Sequence, residues 1–194
     1  AFFKWIVTGI WPAVHTRNLL GGWFNNVIQD AVSLKHAYLV EEMLRGSTRK
    51  IKTKTGKLIS LQEIYKQGIK HGVFGQPGRI DVMREIQELT KTGKLAKLRQ
   101  APVMAMEAVE NRLRGALFIH RIIEGDSWRE AALKVFATHF DYTPVGLTKF
   151  ERNVMRRLIP FYTWMRNNIP FQLANLVKQP GKYAALAKFQ RDWN

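Results

Sequence analysis

The chain contains no cysteine, and this absence excludes disulfide bonds, thiolate metal ligands and cysteine nucleophiles. Acidic residues are also scarce: 15 Asp and Glu stand against 31 Lys and Arg, so the formal net charge is +16. A field of this sign attracts nucleic acid, anionic lipid or an acidic protein surface. The charge does not distinguish among these three partners, and an inert basic surface is the fourth alternative.

No apolar run is long enough to span a bilayer. Residues 1–14 are strongly apolar, but Pro12 and the polar residues 16–18 end the run before the roughly 18–20 residues that a span needs. A signal peptide is not predicted, because a basic leader and a small-residue cleavage site are missing. Aromatic rings in and after this run fit either a membrane or partner interface or a packed helix, and we favour the packed helix. These aromatic residues are Phe2, Phe3, Trp5, Trp11, Trp23 and Phe24.

The motifs of enzymatic chemistry are missing as well. The hexapeptide TKTGKL occurs at 53–58 and 90–95, but it lacks the upstream glycine of a phosphate-binding loop and has leucine where serine or threonine is needed. The adjacent Glu41 and Glu42 have no third ligand at metal-binding spacing, and His120 has no helical partner histidine. We therefore predict no catalytic residue, no metal site and no cofactor, and we expect that the protein is not an enzyme.

A strongly basic segment covers residues 45–57, with six positive side chains and no negative one. Alternating lysines followed by Thr55-Gly56 predict a short basic β-hairpin near residues 50–59, with a mobile loop as the alternative. Either structure would present lysines to phosphates or to an acidic partner as point charges, without reading bases. The predicted contact residues are Lys50, Lys52, Lys54 and Lys57.

Most of the remaining sequence has the period of amphipathic α-helices. Helices are predicted over 26–45, 60–70, 80–92, 104–124, 128–140 and 182–193. In the first, Val27, Ala31, Leu34 and Tyr38 form the expected apolar stripe. In the helix over 104–124, the expected stripe is Met106, Val109, Leu113, Leu117, His120 and Ile123, with Arg112, Arg114 and Arg121 outside it.

The stretch from Thr148 to Gln172 predicts a kinked helix rich in arginine. Thr148 and Glu151 form a capping box, and Pro160 falls inside the helical pattern, where it removes a hydrogen bond and predicts a kink. The arginines contact DNA or an acidic partner, or they fasten helices to one another through bidentate pairs. The apolar positions are Phe150, Val154, Leu158 and Phe161, and the arginines are Arg152, Arg156, Arg157 and Arg166.

The segments HFDYT (139–143), LTKFERNVMRRLIPFYTWMRNNIPFQL (147–173) and QPGKYAAL (179–186) resemble a helical domain of very large phage-encoded polypeptides. This is the large polyvalent-protein-associated family, which includes internal virion proteins ejected with the genome. The resemblance covers residues 104–194 and carries no catalytic residues. It implies a position inside the capsid, and in the host envelope after ejection. The implied partners are the portal or other ejection proteins, double-stranded DNA bound non-specifically, the host membrane and further copies of the chain.

We therefore predict an all-α, elongated multi-helix assembly with proline kinks and at most one short hairpin. Residues 1–100 form an N-terminal helical part with the basic loop and residues 101–194 a C-terminal helical domain, unless the two are continuous. Because the chain starts at Ala1, we expect a piece of a longer polypeptide. The functional hypothesis is a structural internal virion (ejection) protein that helps genome delivery across the host envelope. The alternatives are a membrane-interacting helical module and a non-catalytic scaffold segment of a larger phage enzyme polyprotein.

Overall fold

The computed structural model describes residues 12–31, 33–74, 94–140, 147–155, 158–159 and 162–193. This part of the chain is mostly helical and contains one two-stranded antiparallel hairpin, which confirms the all-α prediction with a short hairpin. The helices are α1 (Pro12–Ile28), α2 (Leu34–Leu44), α3 (Leu61–Lys70), α4 (Lys94–Glu124), α5 (Trp128–His139), α6 (Tyr162–Lys178) and α7 (Pro180–Trp193). The strands are β1 (Lys50–Lys52) and β2 (Leu58–Ser60), and a π-helical turn, Glu151–Met155, precedes α6.

The long helix α4 is the centre of the fold, because α1, α2, α3 and α5 all pack against it. A helix with neighbours on several sides buries most of its circumference rather than one stripe. The hydrophobic core accordingly takes Leu117, Phe118, Ile119 and Ile122 from α4, Leu39, Val40 and Met43 from α2, Leu61 and Ile64 from α3, Ala131 and Val135 from α5, and Ile51 and Ile59 from the hairpin.

The stripe predicted for α4 is therefore only partly right. Leu117 is fully buried, but Leu113, His120 and Ile123 are only partly buried. Arg114, which was predicted outside the stripe, is 3% exposed and lies in the interior. The reason is that α5 packs on the side of α4 that a single-stripe pattern assigns to solvent, and Arg114 donates to the carbonyls of His139 and Phe140 there.

The single helix predicted over 26–45 is wrong, because the chain forms α1 and α2 with a break between them. Asp30 has a left-handed φ of 58°, and the hydroxyl of Ser33 caps α2 by accepting from the N–H of Lys35. Because α2 begins anew after the break, its side chains point in other directions than those of a continuous helix would. The predicted apolar stripe is therefore wrong as well. Leu34 is 91% exposed and Tyr38 is exposed, while His36, Leu39, Val40 and Met43 are buried.

Predicted helix ends are confirmed where the signals are local. The hydroxyl of Ser60 accepts from the N–H of Glu63, and α3 runs from Leu61 to Lys70. Gly125, with φ of +105°, follows the last residue of α4, and Ser127 forms a capping box with Glu130 at the start of α5. The α4 helix begins at Lys94, which is earlier than the predicted start.

Two predictions lie outside the described residues, namely the helix over 80–92 and the kink at Pro160. The helix α6 runs continuously through Pro170. The helix α7 begins at Pro180, and proline is tolerated at this position because the first N–H groups of a helix have no acceptor within the helix. Phe150 and Leu158 are exposed, so these two residues of the apolar face predicted after Thr148 are not buried.

Candidate nucleic-acid interface

The hairpin places apolar side chains on one side and basic side chains on the other, because successive residues of a strand point in opposite directions. Ile51 pairs with Ile59 in the antiparallel register, and both side chains face the core. Lys50 and Lys52, which flank Ile51 on β1, therefore point to the opposite side and are exposed. The outer side of the hairpin thus presents two lysines from one strand to solvent.

The tip of the hairpin is anchored on the C-terminal end of α4. The backbone N–H of Lys54 donates to the carbonyl oxygen of Ile123 at 2.7 Å, and Lys54 Nζ lies 2.6 Å from Glu124 Oε2. A Cβ atom built on Gly125 would stand 2.9 Å from Thr55 Cγ2, so the turn closely approaches that glycine. The hydrogen bond from Lys54 lowers the pKa of Glu124. Lys54 therefore serves to hold the hairpin on α4.

Three of the four predicted hairpin lysines are exposed and form no ion pair with a described carboxylate. Lys50, Lys52 and Lys57 are exposed, and no carboxylate in the described part of the chain lies within 4.0 Å of their ammonium groups. The two arginines that precede the hairpin are bound differently, since Arg45 pairs with Glu41 at 3.4 Å and Arg49 with Glu42 at 2.9 Å. The three lysines are thus the part of the basic segment best placed to bind an anion.

The described arginines of the C-terminal stretch are engaged within the protein. Arg166 Nε lies 2.6 Å from Glu151 Oε1, which also accepts from the hydroxyl of Tyr162 at 2.8 Å. The predicted capping box is present, because the N–H of Thr148 donates to Glu151 Oε2 at 2.8 Å and the Thr148 hydroxyl accepts from the N–H of Glu151. The Thr148 N–H, followed by the Tyr162 hydroxyl, lowers the pKa of Glu151 to about 2.

These contacts match the alternative in which arginines fasten helices to one another. Arg166 ties α6 to the π-helical turn through Glu151, and Arg152 Nη2 donates to the carbonyl of Leu147 at 3.3 Å. Arg156 and Arg157 lie outside the described residues. The structure therefore does not bring the arginines together with the hairpin lysines into one described cluster.

The predicted aromatic interface divides into two kinds of residue. Phe24 packs inside the protein, with its ring edge-on to Tyr183 of α7 at 5.3 Å between centroids. Trp23 is exposed on α1. Phe2, Phe3, Trp5 and Trp11 lie outside the described residues. Of the pair that the structure describes, only Trp23 is available to a partner.

A buried polar network joins α1, α4, α5 and α6, and the sequence patterns did not predict it. Asn26 Nδ2 donates to the carbonyl of Leu113 at 3.0 Å, and Asn26 Oδ1 lies 2.8 Å from His139 Nε2. Asn25 Nδ2 donates to the carbonyl of Thr138 at 2.9 Å. Burial, with a smaller effect of Arg114, lowers the pKa of His139 to about 3. The one available signal is the Asn-Asn pair inside a helix, where asparagine is unfavourable without a partner.

A second histidine contact joins α2 and α4. The rings of His36 and His120 meet edge to face with centroids 4.9 Å apart, and burial lowers the pKa of both. In the parts of the chain that the structure describes, no three His, Asp or Glu side chains are grouped so that they could hold a metal ion. The contact between the two rings joins α2 to α4.

Similarity to known proteins does not assign the basic surface to a partner. No protein-family model, curated protein or solved structure matches the chain. Among the described helices, none has both the length and the apolar character that crossing a membrane requires. The assignment of a partner therefore depends on the charge, exposure and pairing of the side chains.

Proposed function

We propose that the chain is a structural segment of a phage internal virion (ejection) protein, whose basic hairpin binds DNA without reading its sequence. The resemblance of residues 139–143, 147–173 and 179–186 to helical phage polypeptides supports the setting. The observation that carries the molecular role is the set of three exposed lysines, Lys50, Lys52 and Lys57, which have no carboxylate partner among the described residues. In this role the segment is packaged with the genome and accompanies it across the host envelope.

The hairpin suits phosphate binding because its lysines are held in place rather than on a free loop. The anchor at Lys54 positions the tip, and the buried Ile51–Ile59 pair holds the strands against the core. A strand rises about 3.3–3.4 Å per residue, so Lys50 and Lys52 project about 7 Å apart as separate point charges. Ammonium groups on flexible stems bind phosphates without the bidentate geometry that distinguishes bases.

The high net charge supports the same role. A field of +16 draws the chain towards a polyanion over distances longer than any contact, and each neutralised phosphate releases counterions. Binding of this kind weakens steeply with salt and is equal for duplexes of different sequence. The alternative role as a membrane-interacting module predicts binding to vesicles in place of DNA.

The test compares two triple variants that remove the same charge. The first is Lys50→Gln/Lys52→Gln/Lys57→Gln on the hairpin, and the second is Lys35→Gln/Lys66→Gln/Lys70→Gln on exposed sites of α2 and α3. Titration of a random-sequence DNA duplex at several salt concentrations yields the log–log slope for each protein. If each hairpin lysine contacts one phosphate, the slope of the first variant falls by about 2–3, at about 0.9 per phosphate. An equal change in both variants would show that only the net charge matters, and no change in the first would show that the hairpin lysines do not contact phosphates.

A further inference from the structure

The solvent-facing side of α6 is apolar. Ile169, Leu173, Leu176 and Val177 are all exposed, and Val177 is 83% exposed. Their spacing of i, i+4, i+7 and i+8 places them on one side of the helix, which we call the α6 outer face. A contiguous apolar surface of this kind on a protein is characteristic of an interaction site, unlike a single exposed leucine.

The opposite side of α6 is largely polar, and hydrogen bonds attach it to the rest of the protein. Gln172 Nε2 donates to Asn25 Oδ1 of α1 at 2.9 Å, and the hydroxyl of Tyr183 on α7 donates to Gln172 Oε1 at 2.7 Å. Asn175 is buried and donates to the carbonyl of Phe171 at 2.8 Å. Phe171 adds one apolar contact, edge-on to Phe140 at 5.6 Å. The helix therefore turns a buried and a half-buried amide inwards and exposes aliphatic side chains, which reverses the usual arrangement in water.

The helix α1, whose Asn25 accepts from Gln172, shows a related arrangement beside its buried Ile28. On α1, Asn25 and Asn26 are buried, while Leu19, Leu20 and Trp23 are exposed. Amide hydrogen bonds between helices do not depend on the surrounding water, so they persist when the outer sides enter an apolar phase. Both α1 and α6 thus have internal contacts that suit an apolar environment and outer residues that favour one.

We propose that the α6 outer face docks on the surface of an anionic lipid membrane, with the helix lying in the interface. An interfacial helix has one apolar side, a polar opposite side and flanking cations that meet anionic headgroups. Residues 162–193 contain five cations and the single acid Asp192. Arg166, Lys182 and Arg191 pair with Glu151, Asp30 and Asp192, whereas Lys178 and Lys188 are exposed and have no carboxylate within 4.0 Å among the described residues. Lys178, which directly follows Val177, is exposed at the C-terminal end of α6.

Charge also selects the lipid surface over a second copy of the chain. Two molecules that each carry +16 repel one another, whereas an anionic bilayer attracts the same field. The α6 outer face is distinct from the basic hairpin, and the lipid proposal therefore does not rest on the proposed DNA contacts.

The experiment measures binding of the full chain to sedimented vesicles of phosphatidylcholine alone and of phosphatidylcholine with phosphatidylglycerol in equal parts. The test variant is Leu173→Gln/Val177→Gln, and the matched control is Leu34→Gln/Leu133→Gln, which changes two exposed leucines on α2 and α5. We expect the unaltered chain to bind the anionic vesicles, with a partition coefficient about tenfold lower in the test variant and unchanged in the control. A second variant, Leu173→Ala/Val177→Ala, keeps high helix propensity and should show the same direction of loss.

Three results would overturn the lipid proposal. They are absence of binding to either kind of vesicle, equal binding of the test variants and the unaltered chain, and equal losses in the test and control variants. A change in oligomeric state on sedimentation, without a change in vesicle binding, would assign the face to a second copy instead. The salt slope for DNA should be the same in Leu173→Gln/Val177→Gln as in the unaltered chain, which separates failure of this proposal from failure of the DNA-binding role.

Discussion

Lys54 Nζ lies 2.6 Å from Glu124 Oε2, and this ion pair joins the tip of the hairpin to the last turn of α4. The backbone N–H of Lys54 adds a hydrogen bond to the carbonyl of Ile123, one of the carbonyls that a helix end leaves without an internal partner. A basic segment without acids of its own is thus positioned by an acid that lies 70 residues further along the chain. This arrangement distinguishes Lys54 from the lysines on either side of it.

Replacement of Lys54 should affect stability, and replacement of Lys52 should not. Both partners of the Lys54 pair are partly exposed, so Lys54→Gln should lower the free energy of unfolding by only about 0.2–1 kcal/mol. Lys52→Gln, which removes the same charge from the open side of β1, should leave the free energy of unfolding unchanged. Urea denaturation of the two variants checks the difference. Equal destabilisation by both would mean that the ion pair does not hold the hairpin.

Replacement of the buried Arg114 should lower the free energy of unfolding by a large amount. Its buried guanidinium donates to the carbonyl of Phe140 at 3.0 Å and lies 2.7 Å from Glu110 Oε1. Arg114→Met removes one donor from that carboxylate and one from a buried carbonyl, so we expect a loss of about 2–4 kcal/mol. Thermal or urea unfolding measures it. Arg129→Met, on the exposed side of α5, is the control and should change stability by less than about 0.5 kcal/mol.

Two glycines inside helices should respond to alanine in opposite directions. A Cβ on Gly68 would stand 2.7 Å from Cδ2 of Phe74, a buried ring that itself packs edge-on to Phe118. Gly68→Ala should therefore destabilise the protein by about 1–3 kcal/mol. A Cβ on Gly21 would meet nothing within 4 Å, and Gly21→Ala should stabilise α1 by up to about 1 kcal/mol. Unfolding curves of the two variants give the signs, and a matching sign for both would contradict the packing around Phe74.

Acid should destabilise the protein through His139, starting near pH 6.5. The pKa of this buried histidine falls from 6.5 to about 3, chiefly by burial. A lowered pKa means that the unfolded chain binds the proton first, so the contribution to stability is complete above pH 6.5 and declines as the pH falls towards 3. The expected slope from this residue is about 1.4 kcal/mol per pH unit. His36 and His120, whose pKa values are also lowered, act in the same direction.

The measurement is the free energy of unfolding at several values between pH 7 and pH 4. His139→Gln keeps a polar side chain near Asn26 but cannot be protonated, so its stability should fall less steeply over this range. The variant should be less stable than the unaltered chain at pH 7, because the imidazole fills its site between α1 and α5. A slope that is the same in both proteins would place the acid sensitivity elsewhere.

Local signals predicted the hairpin and several helix ends from the sequence. Ser60 and Ser127 cap α3 and α5, the Thr148–Glu151 capping box is present, and Gly125 follows the end of α4. Each of these features depends on hydrogen bonds and backbone angles within four residues, so the neighbouring sequence carries the necessary information. The alternation around Ile51 predicted the hairpin correctly, because the pleat of a strand places successive side chains on opposite sides.

Only the tertiary structure decided which sides of the helices face inwards and which charges are paired. The partners of Lys54 and Arg114 include groups far along the chain, and no local pattern distinguishes these cations from the open lysines nearby. The same holds for α6. Periodicity alone assigns its aliphatic side to the core, whereas the structure buries Asn175 and half-buries Gln172. The sequence by itself determined the hairpin and those helix ends that have local capping signals, since those contacts are local. The burial of side chains and the pairing of charges depend on segments that are distant in sequence. These segments are in contact because they pack against α4.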